Sequence, residues 1–328
     1  MFQTHYQPIE SNCEPSELPD GNYAVPGCKF SIKDGLIKHG YLLSKDLDKG
    51  VQFIQKHNIT TISLNTYYGY ELQDTDCLFS LPNVTELMIH GSWMDKAGLH
   101  SLKALRRLDM GGLGDDMNSD VDLSYFPNLQ FFSCGYGKEL VLPPELPQME
   151  KMRIWKYPKN DMTSFPVAPK LESLQLIQAK LKNLEGMERL ASLRYLSIGY
   201  CRSLIDLSAL KKLKLLALEL ASVRNTEQFQ DVLPFCRSLL GLNVDSPAKT
   251  LPSLAFLNEM PNLKCFAGIL KDISDGDLTP TLRLDNVWIP FIKRHYNLQK
   301  LSNKHNTTWE YWLEQEGMAH WWPPSWRI

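Results

Sequence analysis

The chain has 328 residues, of which 43% are hydrophobic and 22% charged, the apolar content of an ordinary globular protein, which argues against disorder. Its formal charge of −2 is near balance, and no run of eighteen or so apolar residues is present to span a membrane. Two domains would fit this length, but a repeat array absorbs it as one.

Residues 1–58 open the chain. Met1-Phe2-Gln3-Thr4-His5 has no basic stretch leading into an apolar one, so no secretory signal is expected and a cytoplasmic location is. The stretch through Pro26 is rich in Pro, Asn, Glu and Gly and reads as loop. Ser31–Tyr41, with Gly35 and Gly40, reads as a strand or hairpin, and Asp46–His57 has helical spacing. Together they are expected to cap the open end of the region that starts at Ile59.

From Ile59 to Gly268 one pattern returns about ten times, with apolar residues at relative positions one, four and six. The copies are Ile59-Ile62-Leu64, Val84-Leu87-Ile89, Leu105-Leu108-Met110, Leu129-Phe132-Cys134 and Met149-Met152-Ile154. They continue as Leu171-Leu174-Leu176, Leu193-Leu196-Ile198, Leu213-Leu216-Leu218, Leu239-Leu242-Val244 and Leu263-Phe266-Gly268. Side chains alternate across a strand, so positions four and six point inward while three, five and seven point to the other face. A unit this short cannot bury its inner face alone, but stacked units share one core. Prolines at Pro82, Pro127, Pro147, Pro169 and Pro261 stand two positions before the first apolar anchor. A residue with no amide proton fits there, outside the ladder.

This pattern resembles the leucine-rich repeat family over about two thirds of the chain. The resemblance implies an α/β solenoid: a leucine-rich repeat horseshoe with a parallel concave β-sheet over 59–270, between an N-terminal capping region (1–58) and a C-terminal cap with a Trp-rich tail (271–328). The chain departs from the family at position nine, where asparagine is usual. Here stand Tyr67, Ser92, Leu113, Gly137, Tyr157, Ala179, Cys201, Ala221, Pro247 and Lys271, and only Cys201 matches an accepted alternative. Turns satisfied differently from layer to layer are therefore expected.

Past residue 287 lie six of the eight tryptophans, including Trp309, Trp312 and Trp321-Trp322. They read as a cap over the last repeat or as an adhesive tail for a partner or a second copy. Catalytic signatures are missing: no GxxxxGK[ST], HExxH or GxSxG occurs, and the eight histidines are scattered. Gly111–Asp116 lacks the lysine of a phosphate loop and reads as a turn. Asp272-x-x-Asp275-Gly-Asp277 lacks a bidentate glutamate and reads as an acidic turn, not a calcium site. The seven cysteines show no paired CxxC and are expected to be reduced and mostly buried. No enzyme activity, cofactor or metal is expected.

The register names the concave face: Glu86, Met88 and His90; Arg107 and Asp109; Phe131 and Ser133; Lys151, Arg153 and Trp155; Ser173, Gln175 and Ile177; Tyr195 and Ser197. Aromatics, Met and Arg together make the composition of an interface core, unless a cap or return loop covers them. Lys and Arg are absent between His57 and Asp95 and between Asp109 and Gly137, which argues against a nucleic-acid partner. The expected function is non-catalytic binding of one protein through this face. By design it looks like a cytosolic immunity protein that neutralises a toxin, and the alternative is an adaptor or scaffold.

Overall fold

In a computed structural model, residues 16–17, 22–91, 95–111, 121–138, 140–223, 226–301 and 308–321 are described. The glycine-rich stretch from residue 112 to 116 and the tail from residue 322 onward lie outside them. The chain divides into two compact units, Met1–Met149 and Glu150–Ile328.

The first unit begins with antiparallel strands β1 (Ser16–Glu17), β2 (Tyr23–Val25), β3 (Cys28–Lys33) and β4 (Leu36–Leu42). Helix α1 (Leu47–Lys56) follows. Thereafter β5 (Thr61–Asn65), β6 (Glu86–His90), β7 (Arg107–Asp109) and β8 (Phe131–Gly135) add in parallel. The parallel stacking starts one strand earlier than the sequence pattern does. Strand β4 already runs parallel to β5, with Gly40 opposite Ile62 and Leu42 opposite Leu64. Gly40 stands where a core leucine would be because α1 fills the place: a Cβ there would meet Ile54 Cδ1 at 2.4 Å. Ile54 is 1% exposed, so the helix supplies from outside the strand the apolar volume that the strand itself lacks.

The second unit stacks β9 (Lys151–Trp155), β10 (Ser173–Ile177), β11 (Tyr195–Gly199), β12 (Ala217–Ala221), β13 (Gly241–Leu251), β14 (Cys265–Ile273) and β15 (Asn286–Trp288), all parallel and in chain order. One apolar file runs through the layers: Met152, Leu174, Leu196, Leu218, Leu242, Phe266 and Val287 pair strand to strand. Full burial of such a side chain contributes about 1.5–3 kcal/mol, so stacked files dominate the stability. The returns between these strands are short 3₁₀ turns such as Met187–Arg189 and Ser208–Lys212, with α2 (Phe229–Val232) an α-helical one.

Three details differ from the sequence reading. The eighth copy is Leu215-Leu218-Leu220, not Leu213-Leu216-Leu218, because Leu218 pairs with Leu196. Leu284-Val287-Ile289 forms a further layer at β15, and all three are buried. Third, the missing asparagines are replaced by a regular device in this unit. Lys156, Gln178, Tyr200 and Ser222 take left-handed φ of 53–59° at position eight. Each donates its amide to a carbonyl of the next layer (Ile177, Gly199, Ala221 and Asp245) at 2.7–2.8 Å. Cys201 adds thiol hydrogen bonds to the Gly199 and Leu176 carbonyls at 3.4 and 3.6 Å. The proline-marked corners contribute ties as well: Asn262 Nδ2 donates to the Arg237 carbonyl at 2.8 Å, and in the first unit Asn128 Nδ2 donates to that of Lys103 at 3.1 Å.

Candidate functional site

Positions three, five and seven of each strand make an outer face, opposite the leucine core. In the first unit the parallel register lines these residues up in rows. Thr61, Glu86, Arg107 and Phe131 form one row; Ser63, Met88, Asp109 and Ser133 form the next; Asn65 stands beside His90. Glu86 is exposed, Met88, His90 and Arg107 are half-buried, and Asp109 and Phe131 are 6% and 5% exposed. The Arg107 guanidinium lies over the Phe131 ring at 3.6 Å and bonds Asp109 at 3.4 Å. Stacking and ion pairing hold this arginine in one orientation on the face. The sequence reading missed His39 and Tyr41 on β4, whose rings stack at 4.3 Å, and Tyr68, whose ring lies 4.8 Å from that of Tyr41. Their strand carries Gly40, not leucine, at position four, opposite Ile62, and so lacks the repeat pattern.

The second unit's outer face differs from the expected open surface. Lys151 is half-buried, and Arg153, Trp155, Gln175 and Tyr195 are 5%, 9%, 1% and 0% exposed. The Arg153 guanidinium lies 4.0 Å over the Trp155 ring. What lies on this face is the chain's own C-terminal segment. Helix α3 (Trp309–Gln315) and the turn Ala319–Trp321 place Trp309, Trp312, Leu313, Met318 and Trp321 in one cluster with Tyr195, Ala217, Cys265 and Ala267. The tryptophans therefore cover the sheet face, and this is the covering that the sequence left open.

The segment is built to dock. Thr308 Oγ1 accepts the Tyr311 amide, and Gly317, at φ 69°, closes the helix with Gly317 N to Glu314 O and Met318 N to Leu313 O bonds, the paired pattern of a glycine C-cap. Residues 309, 312 and 313 fall on one helical face, and the two indoles stack at 5.1 Å. Polar ties ring the cluster. Lys151 Nζ donates to the His320 carbonyl at 2.6 Å, Ser173 Oγ to that of Trp321 at 3.2 Å, and Lys264 pairs with Glu316 at 3.2 Å. The bed is made of small residues: a Cβ on Gly241 would stand 2.2 Å from the Trp312 ring. Tryptophans three apart and small residues at position three of successive layers (Ala217, Gly241) were the available signals.

Within this face Glu219 accepts the Tyr195 hydroxyl at 2.8 Å and the Asn243 amide at 3.2 Å. Burial raises its carboxyl above the ordinary range, and the charges of Glu310 and Asp245 push the same way. A carboxyl raised in the folded state binds its proton more tightly there than in the unfolded chain. Its contribution to stability is thus greatest below the ordinary carboxylate range and is lost as pH rises through the raised value. Glu219→Gln keeps an acceptor for Tyr195 and removes the titration. The variant is expected to gain on the wild type as pH rises from about 4 to about 8. Urea unfolding across that range checks it, and a pH-independent difference would show that Glu219 does not couple folding to protonation.

Other candidates resolve into structural roles. Asp275 accepts the Asp277 amide, while Asp277 accepts from Thr279 and from Asn297 Nδ2, so these carboxylates hold turns. Among the described residues no three His, Cys, Asp or Glu gather as metal ligands, and no helix is long and apolar enough to cross a membrane. Burial pushes the Cys28 and Cys236 thiols up to about 12 and that of Cys201 to about 11. They serve as small apolar core groups, not nucleophiles.

No protein-family model matches the sequence, and no curated protein does. Solved structures do match. A leucine-rich repeat protein of Leptospira interrogans is 20% identical, with 68% of this chain and 58% of that one covered and a TM-score of 0.49. The TLR13–ssRNA13 complex is 18% identical over 73% of this chain and 40% of that one, at 0.50. The internalin InlF of Listeria monocytogenes is 17% identical over 79% and 87%, at 0.43. This chain thus spans little more than half of the first and well under half of the second. At such identities the likeness concerns the fold: the chain has the leucine-rich repeat fold.

Proposed function

We propose that this chain is a non-catalytic binding protein that holds one protein partner through the outer face of β5–β8, in the cytoplasm, as an inhibitor of a toxin or effector. The observation that carries the reading is the aligned surface of Glu86, Met88, His90 and Arg107 over Phe131. Its mixture of methionine, arginine and aromatic is that of interface cores. On the first unit's face Glu86 is exposed and Met88, His90 and Arg107 are half-buried, whereas the chain's own C-terminal segment lies on the second unit's face. The acidic run Glu71, Asp74, Asp76 and Glu86, with no Lys or Arg from His57 to Asp95, disfavours a nucleic acid, although one structural neighbour was solved with an RNA. Buried, apolar use of cysteine suits a reducing compartment.

The toxin-inhibitor assignment rests on likeness of design to stand-alone immunity proteins. An adaptor or scaffold is the alternative, and the identity of the captured partner separates the two. Affinity capture from the native cell, with mass spectrometry, should return one stoichiometric partner carrying a toxin-like domain. Arg107→Ala is then expected to weaken that complex by about 2 kcal/mol, roughly thirtyfold, without loss of fold. Unchanged affinity would move the partner off this face.

A further inference from the structure

The C-terminal segment occupies its face with an imperfect chemical match. The aromatic part fits well: Gly241, Ala217 and Ala267 leave a flat bed, and the indoles of Trp309 and Trp312 fill it. The polar part does not. The Nε1–H groups of both tryptophans, in side chains 2% and 4% exposed, reach no acceptor among the described residues. Asn243, 7% exposed on the same face, has a carbonyl oxygen that no described donor reaches. Glu219, whose carboxylate anchors the network with Tyr195 and Asn243, has Glu310 of the helix near enough for the two like charges to act on each other. The bed thus offers acceptors and negative charge, and the helix on it brings another carboxylate.

Buried groups without partners and apposed like charges both weaken docking. The tether compensates, since a segment of the same chain is present at high effective concentration and needs little intrinsic affinity. A helix from elsewhere with an aromatic pair and a cation in place of Glu310 would keep the aromatic fit, bring a donor to a bed of acceptors and remove the like charge.

We propose that the outer face of β12–β14 is a binding site for an amphipathic helix from outside the chain, with two aromatic residues three apart and a lysine or arginine directly after the first. Helix α3 is the internal occupant that this ligand displaces. The proposal stands apart from the reading of the first unit's face: its test uses no natural partner, and failure of Arg107→Ala to weaken capture would leave it unaffected.

The test uses the full-length chain carrying Trp309→Ala and Trp312→Ala, which unseats the helix and leaves the bed intact. Two fluorescein-labelled peptides are titrated by anisotropy, one with the sequence of residues 308–321 and one with lysine in place of Glu310. Both should bind the variant, the lysine peptide at least tenfold tighter. The wild-type chain should bind the unaltered peptide at least tenfold more weakly than the variant does. A variant with native circular dichroism and a cooperative melt that binds neither peptide, or binds both equally, overturns the proposal. Should the double variant not fold, Glu310→Lys in the full chain decides. A raised Tm with tryptophans better shielded from iodide supports the site, and an unchanged or lowered Tm overturns it.

Discussion

Gly241→Val is expected to lift the C-terminal helix off the sheet and to lower stability by about 3 kcal/mol. The added Cβ would stand 2.2 and 2.3 Å from two atoms of the Trp312 ring and 2.8 Å from the Trp309 ring. One side has to give. Strand β13 is hydrogen-bonded on both edges, to β12 and β14, and its neighbour Leu242 is fully buried in the core. Helix α3 is a single short element held by its apolar face and a few peripheral polar ties. The helix therefore moves and the strand stays. Tryptophan emission should shift to the red as Trp309, Trp312 and Trp321 meet water, while the far-ultraviolet signal of the sheet persists. Loss of the whole fold would show instead that the segment is integral to the stacking, and unchanged emission would place the indoles elsewhere.

Leu218→Ala should destabilise the second unit by about 2–5 kcal/mol, whereas Leu216→Ala should cost about 1 kcal/mol. The first removes a fully buried side chain between Leu196 and Leu242. Neighbouring layers cannot collapse into the gap without losing their own register, so the cavity persists. Leu216 is only partly buried, against the C-terminal cluster. Urea unfolding of the two variants measures the difference. The opposite order would return β12 to the register expected from sequence.

That register shows where sequence reading meets its limit. Leu213, Leu215, Leu216, Leu218 and Leu220 crowd one short stretch, and two alignments to positions one, four and six are available. A two-residue shift preserves the alternation, so periodicity alone cannot choose between them. The choice falls to Leu196 and Leu242 on either side, which leave Leu218 as the residue that stacks. Glycine hid the β4 layer in a similar way and weakened the pattern at β14. Gly40 breaks the apolar pattern at β4 because Ile54 of α1 provides the volume, and at Gly268 the Phe266 ring stands 2.9 Å from where a Cβ would be. Leucine was absent at both places because another side chain had already filled the space.

The strands, their core face and their order along the chain were legible from residues 59–268, because alternation within five residues and recurrence every twenty or so are local properties that burial acts on directly. The six candidate residues of the first unit lie where the register places them. For the second unit the register also held, but the openness of Lys151 and Tyr195 did not, since residues 309–321 lie against them, as many as 169 positions away in the Lys151–His320 bond. Nothing periodic links an aromatic helix to the bed that receives it. Their match depends on shape, a glycine opposite an indole, and on charges that meet only once the layers have stacked.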